Sequence, residues 1–225
     1  MRRLKFIFLI LFLSSGTLIL DAQDTDELMI GLRAGHYTSF GGFAALSVET
    51  TQTFCKNFSI NGGVQYNTIG KTSLEARPAY NMPFEWGKFS VESVLTYSYL
   101  SSVNNFTAGA GVSVDSRYVG ARLGYYYRLY GGRGSRIMEP FNLYYEFRAH
   151  FLQNIDKWNL DLVISNCEIF ELDRHYQPSF IAECNYYPTG RLGISFGVGC
   201  KPSGIFHISA GYYQSYIKTG LCYRW

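Results

Sequence analysis

Four histidines and a scatter of serines, arginines and carboxylates are the groups in this 225-residue chain with chemistry to offer. Near the end, Phe206-His207-Ile208-Ser209 sets an imidazole and a hydroxyl two residues apart. On an extended strand such residues share a face, so His207 would stand as general base to Ser209 as nucleophile. The plainer assignment is a loop His and Ser at the level of lipid headgroups. His175 lies among Glu168, Glu171 and Asp173, with Glu139 further off, an arrangement for carboxylate-assisted hydrolysis that also suits a solvated loop. Arg133 and Arg136, in the stretch Gly131 to Arg136, suit phosphate groups. That stretch lacks the Gly-Lys-Ser/Thr ending of a phosphate loop. No CxxC or HExxH occurs and no acidic residues and histidines fall at metal-ligand spacing, so neither a metal nor a cofactor is implied.

A second set of charges recurs on alternate positions of apolar stretches. In residues 117–130, Val119, Ala121, Leu123, Tyr125, Tyr127 and Leu129 fall on one face, and Arg122 and Arg128 on the other. In residues 140–152, Phe141, Leu143, Tyr145, Phe147, Ala149 and Phe151 oppose Asn142, Tyr144, Glu146, Arg148 and His150. The same parity puts Arg33, Glu49, Glu75, Arg77, Glu92, Asp161, Glu183, Lys218 and Arg224 on the polar face. Period-two alternation of this kind marks strands. With the apolar face outward, the pattern is inverted for a soluble sandwich and correct for a transmembrane barrel with a charged, sign-balanced lumen. Such a lumen is either a packed, rigidifying network or a water-filled passage, since twelve strands leave more room than eight.

The elements that must position these groups follow from the turns. The chain carries 17% aromatic residues and 23 glycines. Turn signals divide it into twelve strands, over residues 28–36, 42–53, 58–68, 73–82, 88–99, 106–114, 117–130, 140–152, 158–167, 177–187, 191–200 and 212–225. The expected fold is therefore all-β, a transmembrane antiparallel up-and-down barrel of about 12 strands. Short connections fall on one side, and the longer ones, around 131–139, 169–176 and 201–211, on the other. Trp86, Trp158 and Trp225 all land at the short-turn side, where an interfacial aromatic belt belongs.

The ends give location. Arg2, Arg3 and Lys5 precede the apolar run Phe6 to Leu13, then Ser14-Ser15-Gly16 and Asp21-Ala22. That order is a secretory signal peptide over residues 1–22, leaving 23–225 as the barrel. Its removal lowers the formal charge of +3 to about +1, so nucleic acid is not an implied partner. The five cysteines are odd in number and irregularly spaced, which argues against a disulfide framework.

The closing segment Lys218-Thr219-Gly220-Leu221-Cys222-Tyr223-Arg224-Trp225 resembles the C-terminal sorting signal of Gram-negative outer-membrane β-barrels, carried by Lys218, Gly220, Tyr223 and Trp225. The resemblance implies residence in the outer membrane, insertion by the barrel-assembly machinery, and contact with outer-membrane lipid and lipopolysaccharide. His207 and Ser209 also resemble the motif of the outer-membrane lipid A 3-O-deacylases. Ala210 replaces that family's Asn, and no acidic residue follows Ser209. Three functions stand open on the sequence: a small pore or structural barrel with a charged lumen, an outer-leaflet lipid-modifying enzyme, and a complex subunit without transport.

Overall fold

A computed structural model describes residues 26–37, 41–55, 57–100, 103–132, 135–155, 157–168, 171–172, 178–201 and 214–225. The strands are β1 (Glu27–Tyr37), β2 (Gly41–Cys55), β3 (Phe58–Asn67), β4 (Thr72–Phe84), β5 (Gly87–Leu100), β6 (Val103–Ser116) and β7 (Val119–Gly132). They continue with β8 (Ser135–Ile155), β9 (Trp158–Ser165), β10 (Cys167–Glu168), β11 (Glu171–Leu172), β12 (Ser179–Tyr186), β13 (Leu192–Lys201) and β14 (Gln214–Arg224). Twelve of them close into one barrel in which each strand pairs antiparallel with its neighbour in sequence, β10 and β11 forming a separate two-residue ribbon. The barrel closes where β14 meets β1, in an unbroken register from Glu27 opposite Arg224 to Tyr37 opposite Gln214. Closure leaves no strand edge, which is the condition for strands to cross lipid.

Alternation decides which face meets lipid. Leu32, Tyr125, Phe151, Ile217 and Leu221 are each more than half exposed on the outer wall, an arrangement that water would penalise and hydrocarbon accepts. Their strand neighbours Arg33, Tyr126, His150, Tyr216 and Cys222 turn inward. Along β7, Val119, Leu123, Tyr125, Tyr127 and Leu129 are exposed and Tyr126 and Arg128 are buried. No helix among the described residues is long and apolar enough to cross a membrane.

The rim at which β1 begins and β14 ends has tight connections. The turn between β4 and β5 occupies Glu85 and Trp86, and Trp158 begins β9 from the same rim. Trp225 closes the chain there, its amide donating to the carbonyl of Asp26. All three indoles are exposed, in keeping with an interfacial belt. Gly190, at φ 78°, allows the left-handed turn that returns β12 to β13.

One connection differs from expectation. Residues 131–139 read as a glycine-rich loop, yet β7 runs to Gly132 and β8 starts at Ser135, with Gly131 opposite Arg136. At 21 residues β8 exceeds the roughly 9–11 residues that cross a bilayer. On one side β8 extends past the end of β9, with which it pairs only from Glu146 onward, while on the other β6 stays paired with β7 as far as Gly131. A register shift between Tyr126 and Arg128 interrupts the β7–β8 ladder.

Candidate functional site: a charge-paired lumen

Inward-facing charges join across strands into a continuous belt. Glu92 on β5 lies 2.9 Å from the Nε of Arg122 on β7, whose Nη1 is 3.4 Å from Glu146 on β8. Arg148, two residues along β8, reaches Glu146 at 3.6 Å, Asp161 on β9 at 3.0 Å and Glu183 on β12 at 3.6 Å. Glu183 takes a 2.6 Å bond from Lys218 on β14. On β4, Arg77 is paired with Glu75 two residues before it. Charges taken out of bulk water are tolerated because each one is met by its opposite and by hydrogen bonds.

Toward the rim that carries Trp225, His150 is held between two carboxylates, with Nδ1 2.8 Å from Asp161 and Nε2 3.1 Å from Asp115. At the rim itself, Glu27 Oε2 accepts from Arg224 Nε at 2.8 Å and from the Tyr187 hydroxyl at 3.1 Å. The Arg224 guanidinium lies 3.5 Å from the centre of the Tyr187 ring. Burial, with Glu27 beside it, pushes the Tyr187 phenol well above its ordinary pKa, which keeps it a donor. This cluster ties the start of β1 to the end of β14.

The belt faces a cavity of about 580 Å³. It extends from the rim, at Glu27, Lys88, Asp115 and Asn185, to mid-barrel, at Arg33, Glu75, Glu146 and Lys218. Of the charged positions placed inward by parity, Arg33, Glu49, Glu75, Arg77, Glu92, Arg122, Glu146, Arg148, His150, Glu183 and Lys218 line it. Asp161 stands behind Arg148 and His150, Arg224 belongs to the rim cluster, and Arg128 lies beyond the cavity, with its Nη2 3.5 Å from the Tyr126 hydroxyl.

In the far half the interior tightens. Val94, Tyr126 and Tyr144 form an inaccessible apolar cluster on the inner wall, and Asn67, Thr107, Ser165 and Ser179 are also buried. Alternation signals that Tyr144 points inward but not where its ring lies. Pairing places Gly124 opposite Tyr144 and Gly111 opposite Gly124. A Cβ at Gly124 would sit 2.3 Å from the Tyr144 ring, so only glycine lets the ring lie flat on the wall. Tyr216 repeats the device over Gly199, with Arg33 stacked 3.5 Å above its ring.

His207 and Ser209 lie outside the described residues, as do His175 and Asp173, and the side chains of Arg136 and Glu139 are not described either. Among the described residues no cluster of three or more His, Cys, Asp or Glu could hold a metal ion. Cys55, Cys184, Cys200 and Cys222 are free thiols. Of the four residues read as an assembly signal, Lys218 lines the cavity, Gly220 packs against the backbone of Ile30, and Tyr223 and Trp225 face outward with their rings stacked at 6.0 Å.

The sequence matches no family model and no curated protein. Solved structures share its fold. A KdgM porin in complex with disordered oligogalacturonate is 16% identical with a TM-score of 0.52, the match covering 88% of this chain and 99% of that one. The NanC porin is 11% identical with a TM-score of 0.57, covering 87% and 100%. The translocator domain of the autotransporter NalP from Neisseria meningitidis is 13% identical with a TM-score of 0.55, covering 100% and 94%. At these identities the likeness is one of fold, that of outer-membrane β-barrels.

Proposed function

We propose that this chain is an outer-membrane pore protein: a signal-peptide-exported barrel, inserted by the assembly machinery through its last strand, that passes small polar solutes. Its short-turn rim faces the periplasm. The observation that carries the proposal is the cavity of about 580 Å³ inside a closed twelve-stranded wall, lined by charged and polar side chains and reaching the rim. A barrel built only as a scaffold would gain from filling this volume, because buried charge without water is costly. The KdgM and NanC folds, both of porins, support the same direction. The packed outer half, around Tyr126 and Tyr144, makes the passage narrow, so it suits small solutes.

Flux into proteoliposomes tests this. Vesicles carrying the purified barrel should swell in small sugars and fail to swell in a large dextran, while empty vesicles stay inert. Swelling no faster than empty vesicles would contradict it. Fractionation should recover the protein with outer-membrane markers.

A further inference from the structure

Resting on the pore reading above, we infer that the solutes this lumen favours are uncharged polyhydroxyl compounds, small saccharides in particular, and that it discriminates against their acidic counterparts. The cavity lining contains six Lys or Arg side chains and seven Asp or Glu, with His150 beside them. A lumen so close to neutrality carries no net potential to concentrate anions, which selective anion passages obtain from rings of unmatched Arg or Lys. The cations are also engaged. Lys218 is 2.6 Å from Glu183 and Arg122 2.9 Å from Glu92, so an arriving carboxylate must displace one already fixed in place. Ion pairs at these distances act on a solute as dipoles, whose field fades faster than that of a lone charge.

The wall across the barrel offers hydrogen-bonding groups. In the strand order β4 is opposite β12, and between the Glu75–Arg77 pair of β4 and the Lys88 and Glu92 side chains of β5 the wall carries neutral polar groups. Asn81 Nδ2 donates to Ser59 at 2.9 Å, and Ser90 donates to Asn81 Oδ1 at 2.8 Å, a ladder of hydroxyls and an amide across β3, β4 and β5. Hydroxyls rotate and accept as well as donate, so this ladder keeps capacity for further partners. A sugar sliding along it exchanges bonds to water for bonds to Ser and Asn at little cost, whereas an ion loses hydration there and the three groups of the ladder offer it no countercharge.

Galactose and galacturonate differ in one carboxylate and make the matched probe. Proteoliposomes of the full barrel should take up galactose about threefold or more faster than galacturonate, and a potassium chloride gradient should give little charge selectivity. Glu183→Gln, which leaves Lys218 and Arg148 in excess, should raise galacturonate flux relative to galactose. Galacturonate entering the wild-type barrel as fast as galactose, or a strong preference for chloride over potassium, would overturn this inference while leaving the pore intact. Absence of flux for both sugars would overturn the pore reading and this inference with it.

Discussion

The hydroxyl of Tyr144 on β8 stands 3.3 Å from Oε1 of Glu92 on β5, three strands away along one row of the barrel. The two residues between them in that row are glycines, Gly124 and Gly111, paired with each other and with Tyr144 and Glu92 respectively. The tyrosine thus lies across two strands without side chains and ends on the charge belt. It joins the packed half of the interior to the half that holds the cavity. Replacing it with alanine should leave a groove on the wall. We expect Tyr144→Ala to cost about 2–4 kcal/mol of stability, read from urea unfolding in detergent, and to raise solute flux. Gly124→Val should also destabilise, by driving the ring off the wall, but should reduce flux. Equal flux in both variants and the wild type would separate the cluster from the constriction.

Lys218 reaches Glu183 by passing over Gly197, whose Cβ would meet its Cγ at 3.4 Å. The pair is partly exposed to lumenal water, so its loss should cost less than that of a dry pair. Lys218→Met is expected to destabilise the barrel by roughly 1–3 kcal/mol and to shift ion preference toward cations, because Glu49 and Glu183 then lose a countercharge. Unchanged selectivity on reversal-potential measurement would show that Lys218 does not act on passing ions.

Cys55 ends β2 at the rim that carries Trp225, and it is exposed. In a variant keeping only this cysteine, a membrane-impermeant maleimide should label it after the outer membrane is permeabilised and not in intact cells. Labelling in intact cells would place the rim that carries Trp225 outside and reverse the proposed orientation.

The last two residues separate assembly from interior. Trp225 points outward and stacks with Tyr223, whereas Arg224 turns in to Glu27 and Tyr187. Trp225→Ala should reduce the yield of inserted protein. Arg224→Ala should insert normally and melt earlier, since the β1–β14 seam loses its rim contact. Matching insertion defects on fractionation and heat-modifiability gels would contradict this division.

Barrel and strand number were legible because a lipid-facing barrel writes period-two alternation into its strands, as in Val119 to Leu129. The hairpin at 131–136 was not. Glycines and arginines mimic a loop by composition, and only the pairing of Gly131 with Arg136 shows that the ladder continues. Tyr144 was placed inward by parity, but its resting place on Gly124 and Gly111 depends on cross-strand register, which a single strand's sequence does not contain. Arg148 likewise reads as one inward charge, while its three carboxylate partners come from β8, β9 and β12. Parity assigns faces; it does not assign neighbours.

Single-channel recording in planar lipid bilayers tests the central claim most directly. A purified, heat-modifiable barrel should insert with discrete, stable conductance steps that grow in Tyr144→Ala and vanish when the protein is denatured. Folded protein that inserts and stays electrically silent, in the wild type and in Tyr144→Ala alike, would contradict the account of this lumen as a passage.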